Sequence, residues 1–168
     1  KKSGKITLSN GNEVEVTDLP GVYSLYPKSL DEQVVHDALL NKEHPNHPDL
    51  MVIVMDASNL KRNLFLAGQA IDLGIPAFAV LNMTDLANEK GFEIDLDGLS
   101  SSLGIPVLTI NAQSGEGVAK MKEHIAKANH ERGNVLIDLK SWNSGADQVQ
   151  INDYVHFHHL ASLPLKTW

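Results

Sequence analysis

Two short spacings in this 168-residue chain put carboxylates where they can do chemistry. The first is Asp18-Leu19-Pro20-Gly21, which follows the alternating run Val14-Glu15-Val16-Thr17. A carboxylate at a strand end, then Pro and Gly, makes a rigid exposed loop with a bare backbone N–H at Gly21. A nucleoside triphosphate needs those two parts: an anion that holds Mg2+ through water, and an N–H that reaches the terminal phosphate. By itself, D-x-x-G is also an ordinary exit from a strand into a turn. The second spacing is Asn82-Met83-Thr84-Asp85, which closes the apolar run 76–81. There the carboxylate can accept two N–H bonds from the Watson–Crick edge of guanine, while the Asn82 amide braces the loop and meets the purine's other edge. Taken alone, it is an Asn/Asp turn between strand and helix. In this order and at this separation, the pair points to a guanine nucleotide.

Several elements must carry these groups. Residues 5–9 and 13–17 are strand-like runs around Asn10-Gly11-Asn12, a hairpin signal, with the second run half-buried. Residues 30–41 read as a helix capped by Ser29 or Asp31, with Val34, Val35, Ala38 and Leu39 on one face. His44-Pro45-Asn46-His47-Pro48 is a loop. The continuous apolar runs 50–55, 76–81 and 106–110 read as strands buried on both faces. Helices are expected at 60–73 with Gly74 as its stop, irregularly from Leu86 to near Gly91, at 95–103 before Gly104, and at 118–128. Strands alternating with helices across short loops mean a mainly parallel α/β sheet with helices on both sides. Ligands of such sheets sit beyond the C-terminal ends of the strands, and Asp18, Asp56, Asn82 and Ala112 all fall at strand ends. Residues 1–133 read as this domain. Residues 134–168 read as a linker and the start of a further helical unit, with a helix at 152–162.

Composition removes other classes. Fourteen basic against 21 acidic residues give a net charge of −7, which excludes a general nucleic-acid surface. Without cysteine there is neither a disulfide scaffold nor a thiolate metal site. No apolar run reaches about eighteen residues and no apolar stretch backs Lys1 and Lys2, so neither membrane insertion nor a secretory signal is expected.

With these residues in view, the chain resembles a Ras-like GTPase domain, and more closely the cytosolic domain of the bacterial ferrous iron transport protein B family. The matching stretches are DLPGVYSL (18–25), SLDEQ (29–33), VMDASNL (54–60) with RNL (62–64), LGIP (73–76) and LNMTD (81–85), within about residues 1–130. The resemblance implies the three-layer α/β/α fold of a Ras-like P-loop GTPase, followed by a helical domain and a membrane permease. The location it implies is the cytoplasmic face of the bacterial inner membrane. GTP or GDP and Mg2+ are the implied cofactors, and the family also admits K+. Asp18 would hold Mg2+ through water, and the backbone of Leu19, Pro20 and Gly21 would face the γ-phosphate. Asn82 and Asp85 would read guanine, and Met83 replaces the usual lysine over the purine face. In the loop Asn111-Ala112-Gln113, the Ala112 N–H would meet guanine O6.

Two departures stand out. Val22 occupies the place of a water-orienting glutamine, so hydrolysis should be slow and rely on other groups. No G-x-x-x-x-G-K-[ST] occurs, and Gly4-Lys5-Ile6 is not one. The phosphate loop, its strand and helix and the first switch are therefore expected some 40 residues upstream of Lys1. This chain alone is expected to bind GTP weakly without turning it over. His156 and His159, three apart on an expected helix, can meet one metal ion, but with no acidic or thiolate partner fixed nearby they read rather as core or partly exposed histidines. Gly115-x-Gly117 is a loop leading into a helix, not a dinucleotide fingerprint. Two rival readings remain: a non-catalytic interaction module with a degenerate G-domain fold, and an α/β domain binding another small molecule.

Overall fold

The computed structural model describes residues 2–27 and 29–127, together with the backbone of 165–167. The expected linker and helix after residue 134, with His156 and His159, lie outside the described residues, apart from one strand. Lys2–Thr7 (β1) and Glu13–Asp18 (β2) pair antiparallel, from Thr7 opposite Glu13 to Lys2 opposite Asp18. This hairpin forms a two-stranded sheet of its own. Its apolar alternation is correspondingly less buried than expected: Val16 is 45% exposed.

Leu30–Leu40 (α1) starts at Ser29, whose side chain accepts the Glu32 N–H at 3.3 Å, and Asp31 and Glu32 sit in the first turn where carboxylates are favoured. Met51–Asp56 (β3) leads through the short turn Ala57–Asn59 into Leu60–Asp72 (α2). Ala77–Asn82 (β4) leads into Thr84–Glu89 (α3), Phe92–Ile94 (β5) and Leu96–Leu103 (α4). Val107–Thr109 (β6) and Val118–Lys127 (α5) follow, and Leu165–Thr167 (β7) pairs antiparallel with β5. The main sheet has the order β3–β4–β6, with both pairings parallel.

The strand alternation divides the core. Ile53, Met55, Ala77, Ala79 and Leu81 belong to one buried cluster with Leu60, Leu64, Ala67 and Ile71 of α2 and Leu99 and Leu103 of α4. On the other face, Phe78 meets the His124 ring of α5 edge-on, with centroids 4.7 Å apart. β4 is buried on both faces, as its composition requires. β3 differs from expectation: Val52 and Val54, in register with Phe78 and Val80, are 37% and 60% exposed. β3 is an edge strand of this sheet, and no described helix covers that side of it. A second, smaller cluster of Leu25, Val35, Leu39 and Ile75 fastens α1 and the loop after β2, with Leu19 and Val22 packed against it.

Candidate functional site

Asp56 and Asn82 end β3 and β4 in register, so the rim of the sheet begins there. Asp56 is engaged in a cap, accepting the Ser58 N–H at 2.8 Å. At Met83 the chain adopts φ 60° and ψ 35°, the left-handed region that an L side chain enters at a cost of about 1–2 kcal/mol. That turn starts α3 one residue later and leaves the Met83 side chain 46% exposed at the rim. Asp85 therefore lies in the first helical turn, where its Oδ1 accepts the Leu86 N–H at 2.9 Å.

The loop after β6 is tied to this turn from the other side. The Ile110 N–H donates to the Leu81 carbonyl at 2.9 Å and extends the sheet to the rim. The Ala112 N–H donates to Asn82 Oδ1 at 3.1 Å, and Asn111 Nδ2 donates to Asp85 Oδ2 at 3.4 Å. Asn111 Oδ1 accepts the N–H groups of Gln113 and Ser114, both at 3.0 Å, so one side chain shapes the whole loop. Asn82, Asp85, Asn111 and Ala112 thus meet at one rim. An ionised carboxylate offers about four acceptor positions, and two of those at Asp85 remain for a ligand. The Ala112 N–H, expected to face guanine O6, is held here by Asn82.

Asp18 stands exposed at the end of β2, and Gly21 is exposed beyond half-buried Leu19 and Pro20. Val22 is half-buried against the smaller cluster. Arg62 lies in the first turn of α2, which starts beside the C-terminal end of β3, and its guanidinium carbon is 3.5 Å from the centre of the Tyr23 ring. The loop after Gly21 therefore passes the same end of the sheet as Asn82. Among the described residues no hydrogen bond joins Asp18 or Gly21 to the Asn82–Asn111 cluster. Deeper along α2, buried Gln69 accepts the Leu25 N–H through Oε1 at 2.9 Å. Sequence reasoning gave Arg62 and Gln69 no role. The available signal was Gln69, an amide within an otherwise apolar helix stripe. Among the described residues, no group of three or more His, Asp or Glu side chains can hold a metal ion. The exposed Asp18 carboxylate is a donor of the right chemistry for water-mediated Mg2+, and no described side chain hydrogen-bonds to it.

Comparison with known proteins gives this rim a context. The family profile described as ferrous iron transport protein B matches residues 1–125. The chain belongs to the ferrous iron transport protein B family. The Fe(2+) transporter FeoB of Salmonella typhimurium is 39% identical over 133 residues, which is 77% of this chain but only 17% of that transporter. The family's G-domain from Methanococcus jannaschii superposes with a TM-score of 0.70 at 40% identity, covering 76% of this chain and 79% of that one. The cytosolic domain of the Thermotoga maritima FeoB iron transporter in its GMPPNP form superposes with a TM-score of 0.70 at 32% identity, covering 79% of this chain and 52% of that one. The fold is therefore the Ras-like α/β fold of the family's G-domains. Among the described residues no helix is long and apolar enough to cross a membrane.

Proposed function

We propose that this chain is the guanine-reading and phosphate-sensing part of a regulatory GTPase domain, cytosolic in place, that serves ferrous iron transport and signals to the helical and permease domains of its parent. The observation that carries this reading is the pair of hydrogen bonds, Ala112 to Asn82 and Asn111 to Asp85, that ties two loops into one rim. A guanine there would place its N1–H and exocyclic amine on the free positions of Asp85. Met83, 46% exposed, would cover the ring with its thioether without adding charge. Asp18 would hold Mg2+ through water, the ion neutralising phosphate charge when bound. The Gly21 N–H would donate to the terminal phosphate. Val22 cannot orient an attacking water, so any hydrolysis would be slow and lean on groups other than this side chain.

The test is base selectivity, read by NMR titration so that weak binding registers. GDP should move the Asp85 and Ala112 amide resonances, and ADP should not. Two charge-assisted hydrogen bonds at about 1.5–3 kcal/mol each separate the two bases by more than about 100-fold. Asp85→Asn turns an acceptor into a donor, and its preference should pass to XDP, whose ring carries a carbonyl where guanine carries the amine. Equal responses to ADP and GDP would refute the reading.

A further inference from the structure

The loop that follows Gly21 is fastened to α2 at two points, and both fastenings come from one side of that helix. Tyr23 and Leu25 are two residues apart in a non-helical segment, so both can face α2. Arg62 and Gln69 are seven residues apart, two helical turns, and so lie along one stripe. Arg62 stacks on the Tyr23 ring at 3.5 Å, in the open, with Tyr23 61% exposed. Gln69 is 1% exposed and accepts the Leu25 N–H at 2.9 Å, while the Leu25 side chain, 6% exposed, fills the cluster with Val35, Leu39 and Ile75. The Ser24 hydroxyl accepts the Tyr26 N–H at 3.1 Å and sets the bend between the two points.

Because an N–H can donate only to the amide oxygen, the Leu25 bond fixes which way the Gln69 amide points. Its Nε2 is then buried and, among the described residues, without a hydrogen-bond partner. A buried donor left unmet is unusual and raises the free energy of the state that contains it. The seat is therefore tight in packing yet shallow, which suits a segment that has to move. We propose that Arg62 and Gln69 are positioning residues that seat the loop after Gly21 and thereby aim the Gly21 N–H. The inference rests on the reading of Asp18–Gly21 as the phosphate-facing segment, and it assigns the control of that segment to α2. Neither residue touches the nucleotide in this scheme.

The experiment uses this chain without nucleotide, so it reports on the seat alone, whatever base-selectivity measurements return. Amide hydrogen exchange is read at Leu25, with the amides of β4 as the internal control, and the Gly21 amide resonance is followed by NMR. Gln69→Met keeps the side-chain volume and removes the acceptor. It should raise Leu25 exchange by about tenfold, the size of one buried hydrogen bond. Tyr23→Leu should raise it by about threefold, the size of an exposed cation–π contact. Tyr23→Phe keeps the ring and should leave exchange unchanged. The Gly21 resonance should shift in Gln69→Met and Tyr23→Leu and return to its original place in Tyr23→Phe. Leu25 exchange within about twofold of the parent in Gln69→Met, with β4 intact, overturns the proposal, as does an unmoved Gly21 resonance. If Gln69→Met also exposes β4, the surface pair at Tyr23 decides, and equal behaviour of Leu and Phe there overturns it.

Discussion

Gly117→Ala should damage the rim far more than Gly115→Ala, although the two glycines are neighbours in one loop. Both have positive φ, +77° and +81°, so an alanine at either meets the left-handed penalty of about 1–2 kcal/mol. Only one of them is also crowded. A Cβ at Gly117 would lie 2.3 Å from the Thr109 carbonyl oxygen, 3.1 Å from Ile110 Cα and 3.2 Å from Ile110 Cγ2, while Gly115 has nothing within 4 Å. Carbon and carbonyl oxygen rest at about 3.3 Å or more, so Thr109 and the loop must separate by about 1 Å. Thr109 pairs with Leu81 of β4, and the next residue donates to the Leu81 carbonyl. Parting them strains a ladder hydrogen bond worth about 1 kcal/mol, on top of an overpacking cost of about 1–3 kcal/mol. The sum is about 3–6 kcal/mol for Gly117→Ala against about 1–2 for Gly115→Ala. Urea denaturation followed by circular dichroism measures both. A difference below about 1 kcal/mol would show that the loop does not press on the end of β6, and the account of how it is held would fall.

Other consequences can be checked in the same way. Asn82→Ala leaves the Ala112 N–H without its acceptor and should cost about 1 kcal/mol in urea denaturation, with a weakened response of Ala112 to GDP in the NMR titration. Phe78→Ala should cost about 3–5 kcal/mol, while Val54→Thr on the same face of the sheet should stay within about 0.5 kcal/mol, because Phe78 is 1% exposed and Val54 60%. The Asp37 carboxyl is held below the ordinary aspartate range, chiefly by the hydrogen bond from His36 and next by that from Gln33. Its pKa is lowered on folding, so the stability it contributes is complete above the ordinary aspartate pKa and is lost as pH falls through the lowered value. NMR titration should place the Asp37 midpoint below that of an unstructured peptide, and Gln33→Ala should move it back up. An unchanged midpoint would show that the Gln33 contact does not form in solution.

The parts of this fold that were legible in the sequence are those decided by neighbours in the chain. β4 announces itself because every residue from Ala77 to Leu81 is apolar, and a strand buried on both faces needs nothing else. The hairpin follows from Asn10-Gly11, and the start of α1 from Ser29. Legibility ends where the partner is distant. The apolar run of β3 reads like that of β4, yet Val52 and Val54 are bare, because covering a face is the work of other elements. Three-residue β5 has no period to detect, and its neighbour β7 lies some seventy residues further on. The same limit divides the candidate site. Asn82 and Asp85 were readable as a motif and Asn111 through the family resemblance, but that the one Asn111 side chain organises its loop and reaches Asp85 shows only once the loops are folded together.

This division has a physical counterpart in the site itself. The proposed base side is assembled by hydrogen bonds between two loops that leave adjacent, hydrogen-bonded strands, so its geometry is inherited from the ladder on buried β4. The proposed phosphate side leaves a hairpin that forms a two-stranded sheet of its own, and its loop meets α2 through a buried hydrogen bond and an exposed ring contact while Leu25 packs in the smaller cluster. Interactions of those kinds are worth about 1 kcal/mol each, whereas moving a loop anchored on β4 means breaking the ladder of the core. Releasing the contacts to α2 would therefore shift Gly21 while leaving the proposed base side in place. On the proposed reading, a protein built this way would keep hold of a base while the segment facing its terminal phosphate changes position.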